Sequence, residues 1–166
     1  MTLSQNKQIY LLRHAKSSWS SSARTDHARP LNGRGFKDAR RIGEWMQANG
    51  HSPESVICST AERARQTLDG VMESLEIERL DYRDELYHAS SSTIIALAMS
   101  ALESVNSVLL VAHNPGMDDT LRTLVKEPLP YEGYKLMTTG NLAIISCDLD
   151  RGECTLEELI RPKSLS

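Results

Sequence analysis

The sequence predicts an α/β fold: a three-layer sandwich with a mostly parallel central sheet and helices on both of its faces. Short apolar runs alternate with amphipathic helical patterns along the 166 residues, an order typical of α/β domains. The early runs are continuous rather than interleaved with polar residues, which favours strands covered on both faces. The length suits one domain, so we expect residues 1–166 to form a single domain.

The elements follow one another in a regular order. The first three predicted strands are Ile9–Leu12, Val56–Cys58 and Val108–Ala112. Helical periodicity predicts helices over Phe36–Met46, Ala61–Leu75, Ile94–Leu102 and Met117–Val125. Two late strands, Leu142–Cys147 and Thr155–Ile160, are predicted on either side of the turn DLDRGE.

Composition argues against several classes of protein. The formal net charge of −3 disfavours a general nucleic-acid binder, and no apolar stretch approaches the roughly 18 residues of a membrane helix. The N-terminal residues lack the apolar core of a signal peptide. Cys58, Cys147 and Cys154 lack zinc-motif spacing, so we expect buried thiols. These features predict a cytoplasmic protein that binds neither nucleic acid nor membrane.

Basic and titratable residues follow each of the three early strands. The first strand ends in Arg13 and His14, the second in STAERARQT (residues 59–67), and the third in AHNPG (residues 112–116). Because the carboxyl ends of parallel strands meet at one edge of an open sheet, these segments should converge there. The sequence therefore predicts an anion site with two histidines and several arginines.

The second segment carries a separate indication of an anion. Ser59 and Glu62 have the spacing of a capping box, which predicts a helix that begins at about Thr60. Arg63 then lies in or beside the first turn, where a cation opposes the helix dipole at a cost of a few tenths to about 1 kcal/mol. An anion bound between the guanidinium and the helix terminus would reverse that penalty.

Each of these residues also has an explanation that involves no ligand. His14 could bond to backbone at a strand end, and His113 could begin a turn. Arg13 could be a surface cation, and Arg63 could pair with Glu62 or stay solvated. Most of a nearby basic stretch is expected to be solvated: Arg24, Arg29, Arg34, Arg40 and Arg41. The joint occurrence of such residues at three strand ends is what favours a site.

In their order along the chain, these segments resemble the blocks of the histidine phosphatase superfamily, which has the phosphoglycerate mutase-like fold. LLRHA resembles its Arg-His-Gly signature, STAERARQT its Ser-Pro-x-x-Arg-Ala-x-Gln-Thr block, and VLLVAHNPG its second histidine block. The details are most similar to the small SixA-type phosphohistidine phosphatases: RHAKSSW, Asp26 before RPLNGRG, DELYHAS and AHNPGM. The resemblance covers nearly the whole chain.

The chain departs from the family pattern at two positions where the replacement is a small residue, and it differs again in the region of the general acid. Ala15 stands in place of the usual glycine, and Thr60 in place of the usual proline. The superfamily's general acid is usually a carboxylate between the second and third blocks, where this chain has Asp84 and Glu85. Glu85 has the better position and is the candidate acid.

The resemblance implies phosphoryl transfer through a covalent intermediate. Neutral His14 would attack phosphorus while its other ring nitrogen donates to a backbone carbonyl. Arg13 and Arg63 would hold the phosphoryl group with their planar guanidinium forks, and protonated His113 would neutralise further charge. No metal or other cofactor is expected, since these cations take the place of the metal ions of other phosphoryl-transfer sites. Secondary phosphate contacts are expected from Ser17, Asn114 and Asn141.

Three functions stay open at this point. The first is a phosphohistidine phosphatase that releases phosphate from a signalling or phosphotransfer protein, such as a histidine phosphotransfer domain. The second is a phosphatase of a small phosphate ester, and the third is a phosphoprotein-binding module without catalysis. A short chain without a large insertion leaves the pocket open, which favours a protein substrate. The presence of all four core residues argues against an inactive module: Arg13, His14, Arg63 and His113.

Overall fold

The computed structural model of the protein describes residues 6–131 and 135–165. The strands and α-helices are, in chain order, β1 (Asn6–Arg13), α1 (Gly33–Ala48), β2 (Ser55–Ser59), α2 (Glu62–Met72), β3 (Arg79–Arg83), α3 (Ser91–Leu102), β4 (Ser107–Ala112), α4 (Gly116–Leu124), β5 (Leu142–Asp148) and β6 (Glu153–Ile160). Short 3₁₀ turns lie at Asp84–Leu86 and Pro162–Ser164. The predicted α/β class is confirmed.

The strands form one sheet in the order β3-β2-β4-β1-β5-β6. β3, β2, β4 and β1 run parallel to one another, whereas β5 is antiparallel to both β1 and β6. The register pairs Val111 of β4 with Leu12 of β1 on one side and with Cys58 of β2 on the other. The three early predicted strands are therefore neighbours, and their carboxyl ends lie at one edge of the sheet.

Each face of the sheet is covered by its own hydrophobic core, because successive residues of a strand point to opposite faces. Ile9 and Leu11 of β1 join the core beneath α3 and α4. Tyr10 and Leu12 join the core beneath α1 and α2. Two cores on one sheet produce the predicted three layers. Among the described residues, none of the helices is both long and apolar enough to cross a membrane.

Two local features differ from the sequence prediction. β3 was not predicted, because its sequence RLDYR is mostly polar; as the edge strand beyond β2 it is partly exposed and lacks an apolar run. Phe36 does not belong to the buried face of α1, and its side chain is 40% exposed. The buried face of α1 is instead completed by Gly35 and Asp38.

The predicted capping box at the start of α2 is wrong. Ser59 is the buried last residue of β2, and the helix begins at Glu62 with no side-chain cap. The Ser59 hydroxyl accepts a hydrogen bond from the Ala61 N–H at 3.2 Å, and its other partner is a histidine side chain described below. Because Ser59 is the last residue of β2, its hydroxyl stays at the end of that strand and does not cap α2.

The expectation of three buried thiols is wrong for two of them. The antiparallel register of β5 and β6 places Cys147 opposite Cys154, and a disulfide joins the pair. Cys58 is a free, fully buried thiol, and burial raises its pKa. The pairing of the other two depends on strand register, which residue spacing alone does not reveal.

Candidate active site

A pocket of about 440 Å³ opens where the carboxyl ends of β1, β2 and β4 meet. The structure brings together in its lining the four core residues that the sequence singled out: Arg13, His14, Arg63 and His113. The ring centroids of His14 and His113 are 5.1 Å apart. Residues separated by up to a hundred positions in the chain thus share one cavity, as the parallel strand order requires.

His14 is held in one tautomer by backbone. Its Nδ1 lies 2.8 Å from the carbonyl oxygen of Ala15, which can only accept, so Nδ1 carries the proton and Nε2 carries the lone pair. The Ala15 N–H in turn donates to the Thr67 hydroxyl of α2 at 3.0 Å. Burial above all, together with the neighbouring guanidinium groups of Arg63 and Arg13, lowers the pKa of His14 to about 4. The imidazole is therefore neutral at neutral pH, as a nucleophile requires.

His113 differs from its sequence-based expectation in charge. Its Nε2 lies 2.8 Å from the Ser59 hydroxyl, and its Nδ1 is buried without a hydrogen-bond partner. Burial above all, together with the positive charge of Arg63, lowers the pKa of His113 to about 3. The side chain is thus neutral rather than protonated. When Ser59 donates to Nε2, the proton is on Nδ1, which is then a buried donor without a partner.

Three arginines, together with Lys16, supply the positive charge of the pocket. Arg63 is buried and donates to the backbone carbonyl of Asp26 at 2.7 Å and to its carboxylate at 3.0 Å. Arg13 donates to the Met137 carbonyl at 2.9 Å. Arg29 contacts the Ser17 hydroxyl and stacks on the Trp19 ring, with 3.8 Å between its guanidinium carbon and the ring centroid. Arg63 pairs with Asp26 rather than with Glu62, and it is buried rather than solvated.

The unsatisfied buried nitrogens form a pattern. Within the described residues, four buried side-chain nitrogen or oxygen atoms have no hydrogen-bond partner: Nε of Arg13, Nε of Arg29, Nε of Arg63 and Nδ1 of His113. All four residues line this one pocket. Buried donors are normally paired, and unpaired ones call for an explanation such as a ligand. An anion with several acceptor oxygens is the ligand that would satisfy them.

Asp26 is the negative group of the pocket. Its carboxylate accepts a hydrogen bond from the Tyr87 hydroxyl at 2.6 Å, and it also binds Arg63 and Arg29. The Tyr87 hydrogen bond, followed by the guanidinium charge and hydrogen bonds, holds the pKa of Asp26 well below its usual range. Asp26 therefore stays ionised and fixes the orientation of two arginines.

Of the three residues predicted to make secondary phosphate contacts, two line the pocket and one does not. Ser17 and Asn114 line the pocket. The Asn114 amide donates to the Met137 carbonyl at 3.0 Å, while its oxygen accepts from the Asp118 N–H at 3.2 Å. Asn141 is fully buried outside the pocket lining, and its carbonyl accepts from the Arg13 N–H at 3.1 Å.

The candidate acid Glu85 is also outside the pocket lining. It lies in the 3₁₀ turn after β3 with its side chain 49% exposed, and its carboxylate pairs with Arg83 at 2.8 Å. Asp84 accepts a hydrogen bond from the Thr60 hydroxyl. The structure therefore does not bring either carboxylate to the two histidines.

Among the residues of the pocket and its support that sequence reasoning missed are Asp26, Arg29, Ser59 and His88. Arg29 stood in a basic stretch that was expected to be solvated, yet its side chain is only 12% exposed. His88 lines the pocket although its sequence neighbours are polar. The segment from Asp26 to Gly35 held the available signal, because it was part of the family resemblance and contains both Asp26 and Arg29.

A sheet edge that presents a neutral imidazole, a second buried imidazole and three guanidinium groups to one cavity can bind a tetrahedral oxyanion and attack its central atom. Within residues 6–131 and 135–165, no group of three or more His, Cys, Asp or Glu side chains is arranged to hold a metal ion. The fold and the pocket together have the features of a phosphate-handling α/β enzyme.

Comparisons with known proteins place the chain within that class. The family model described as the histidine phosphatase superfamily (branch 1) matches residues 9–90. The phosphohistidine phosphatase SixA of Escherichia coli is 28% identical over 161 residues, which cover 95% of this chain and 96% of that protein. An uncharacterized protein of Mycobacterium tuberculosis is 32% identical over 139 residues, which cover 76% of this chain and 85% of that protein.

Solved structures agree in fold over nearly the full length. A structure from Agrobacterium tumefaciens described as phosphohistidine phosphatase SixA has a TM-score of 0.82 at 33% identity, and covers 94% of this chain and 99% of that chain. The protein histidine phosphatase SixA in complex with tungstate has a TM-score of 0.82 at 25% identity, over 96% and 99% of the two chains. The chain belongs to the histidine phosphatase superfamily and, within it, to the SixA type. Membership makes it a hydrolase of the phosphatase class.

Proposed function

We propose that the protein removes phosphate from a phosphorylated histidine of another protein, through a covalent phosphohistidine intermediate on His14. The observation that carries this proposal is the cluster of four unpaired buried nitrogens around the pocket. A phosphoryl group offers them the anionic acceptor oxygens that they lack. The tungstate held by a SixA relative, itself a tetrahedral oxyanion, supports the same use of the pocket.

In the proposed reaction, His14, His113 and the three arginines each have a part in the first half. The Nε2 lone pair of His14 attacks phosphorus, the bond from phosphorus to the substrate nitrogen breaks, and that nitrogen keeps the electron pair. Arg13, Arg29 and Arg63 neutralise charge on the equatorial oxygens, and His113 donates its Nδ1–H to one of them. In such transfers the protein acts chiefly by positioning and charge stabilisation. Water then hydrolyses phosphorylated His14 and releases inorganic phosphate.

Two features favour phosphohistidine over a phosphate ester. An alkoxide leaving group needs a proton as its bond breaks, and Glu85, the expected acid, pairs with Arg83 outside the pocket. An imidazole, with a side-chain pKa of about 6.5, leaves as a neutral group once its far nitrogen is protonated by solvent. In addition, His88 at the mouth of the pocket is 65% exposed, so a histidine on another protein can reach the cavity.

The test is a turnover assay on a histidine phosphotransfer domain phosphorylated on histidine, beside a panel of small phosphate esters, all in the presence of EDTA. We expect the phosphoprotein to have the highest kcat/KM. Chelation should leave the rate unchanged, because guanidinium groups rather than a metal ion stabilise the negative charge of the phosphoryl group. Faster turnover of an ester would support the alternative ester phosphatase. Binding without turnover of any substrate would support the phosphoprotein-binding module.

The nucleophile is tested in the same assay. His14→Ala should abolish turnover and the acid-labile phosphoenzyme while the protein stays folded, because the residue lies beyond the strand at the pocket edge. His51→Ala is the control, since His51 is a half-buried histidine that stacks on Trp45 outside the pocket. Full activity in a folded His14→Ala protein would contradict the mechanism.

A further inference from the structure

His88 lines the mouth of the pocket and has no part in the mechanism described so far. Its backbone is in the left-handed region, with φ of 58°, and it is the only non-glycine residue with positive φ in the described part of the chain. This conformation is disfavoured for side chains with a Cβ, and such outliers cluster at functional sites. Its unusual backbone singles out His88 among the exposed residues of the rim.

The surrounding structure holds the His88 segment in place. The Tyr87 N–H donates to the Asp84 carbonyl at 3.0 Å, and the preceding residue, Leu86, is fully buried. On the other side, Gly116 at the start of α4 packs on Ala89: a Cβ on Gly116 would lie 2.2 Å from the Ala89 carbonyl oxygen. Backbone strain persists only where packing over-determines it. The position of the His88 backbone is therefore set by the fold.

The contacts of the ring suit proton transfer. Nε2 of His88 lies 3.9 Å from the Asp26 carboxylate, within ion-pair distance. The ring centroid of His88 is 3.9 Å from that of Tyr87 and 6.3 Å from that of His113. A protonated His88 would thus form beside a carboxylate that Tyr87 and Arg63 keep ionised. Because the ring lies exposed at the mouth, it can exchange protons with solvent.

The second half of the reaction needs a base at the mouth of the pocket. Attack on phosphorus is roughly in line with the bond that breaks, so water must approach from the side opposite to His14. That side is the mouth, from which the first leaving group has departed. Phosphorylated His14 keeps its Nδ1–H on the Ala15 carbonyl, so it leaves as a neutral imidazole and needs no acid. The proton that must be handled is the one on water.

The nearby carboxylates and the second histidine are engaged in other contacts. The Asp26 oxygens accept hydrogen bonds from Tyr87, Arg63 and Arg29, which makes this carboxylate a weak base. The buried Nε2 of His113 faces the Ser59 hydroxyl rather than the mouth. Glu85 is paired with Arg83 outside the lining.

We propose that His88 is the general base that takes a proton from the water that hydrolyses phosphorylated His14, a role that rests on the proposed function. The water oxygen forms a bond to phosphorus, its proton passes to His88, and the bond from phosphorus to Nε2 of His14 breaks. The electron pair of that bond returns to Nε2. Phosphate leaves, neutral His14 is restored, and His88 gives the proton to solvent.

The test is His88→Gly, which adopts the left-handed backbone without strain and leaves a ring-sized space at the exposed rim. We expect release of inorganic phosphate from a phosphohistidine protein to slow by about 10²-fold or more, because a positioned general base typically contributes a rate factor of that size. Because only the second half-reaction is affected, phosphorylated His14 should accumulate at steady state. Free imidazole should restore phosphate release in proportion to its concentration.

Wild-type protein with imidazole and His88→Asn are the controls. Asparagine tolerates the same backbone but is no base and fills the space, so it should show the same slow release without rescue. Phosphorylated imidazole is counted separately from phosphate, because imidazole can also accept the phosphoryl group. Release in His88→Gly within about threefold of wild type, or slow release with less phosphoenzyme, overturns the role of a base. A wild-type protein without phosphoenzyme or turnover overturns the proposed function itself.

Discussion

At the scale of single residues, two carboxylates close to the site have opposite environments. Asp26 faces the pocket and is bound by Tyr87 and Arg63, whereas Glu85 faces solvent and is bound by Arg83. Family resemblance drew attention to the acid region around Glu85, but hydrogen bonding assigns the larger effect to Asp26. The contribution of a carboxylate to the site depends on its environment rather than on its presence in a motif.

Asp26→Asn and Glu85→Gln form a matched pair of neutralising changes. Asp26→Asn should lower kcat by about 10–100-fold, the equivalent of a charge-assisted hydrogen bond of about 1.5–3 kcal/mol that orients Arg63. The same change should strengthen inhibition by inorganic phosphate, because the pocket loses a negative charge. Glu85→Gln should leave both quantities within about twofold, as expected for an exposed surface pair. Steady-state kinetics with phosphate as inhibitor would measure both, and a larger effect of Glu85→Gln would return the acid role to that residue.

At the scale of elements, the first turn of α1 is pressed against the loop that follows β1. The Asn32 N–H donates to the Lys16 carbonyl at 2.9 Å, and the Asn32 side chain caps the helix through the Gly35 N–H at 2.9 Å. A Cβ on Gly35 would lie 2.1 Å from that same Lys16 carbonyl oxygen. The pocket residues His14 and Ser17 flank this contact in sequence, so the helix sets the position of the loop.

Gly35→Ala and Gly33→Ala test this contact within one helical turn. Gly35→Ala should lower the free energy of unfolding by about 1–3 kcal/mol, as overpacking does. It should also lower kcat/KM by about 10²-fold, since displacement of the loop by about 1 Å misplaces the pocket. A Cβ on Gly33 meets no atom within 4 Å, so Gly33→Ala should keep both values near those of wild type. Thermal melts and kinetics on the two variants decide the matter, and equal effects would show that the close approach is unimportant.

At the scale of the whole molecule, the two buried histidines link stability to pH. Burial lowers the pKa of His14 to about 4 and that of His113 to about 3. As the pH falls below about 6.5, the unfolded chain takes up protons on both histidines, while the folded protein does not. The free energy of unfolding should therefore fall by about 1.4 kcal/mol per pH unit for each group until the folded pKa is reached.

The pH dependence can be isolated with the double change His14→Asn and His113→Asn. Between pH 6.5 and about 4, the Tm of wild type should fall more steeply than that of the double variant, because carboxylates titrate alike in both. At pH 7.5, saturating phosphate should raise the Tm of wild type but not of the variant, since a ligand of the folded state stabilises it by mass action. Parallel Tm curves for the two proteins would show that the histidines are not held neutral by the fold.

The sequence by itself determined the α/β class with its mostly parallel sheet and the convergence of Arg13, His14, Arg63 and His113. Continuous apolar runs followed at once by basic residues are local signals, and parallel strand geometry carries them to one edge without further information. The backbone partner of His14 also followed, since the resemblance implied a carbonyl and the structure supplies that of Ala15.

Only the tertiary structure decided the remaining parts of the site. Arg29 and Asp26 belong to the segment between β1 and α1, and their positions depend on how that segment packs against Arg63 on α2. His88 enters the pocket because α4 packs on the residue after it. The Ser59 hydroxyl hydrogen-bonds to His113 rather than capping a helix. Cys147 pairs with Cys154 because the register of β5 and β6 makes them neighbours. Such contacts join residues far apart in the chain, and their geometry arises only when loops are fixed against helices and strands.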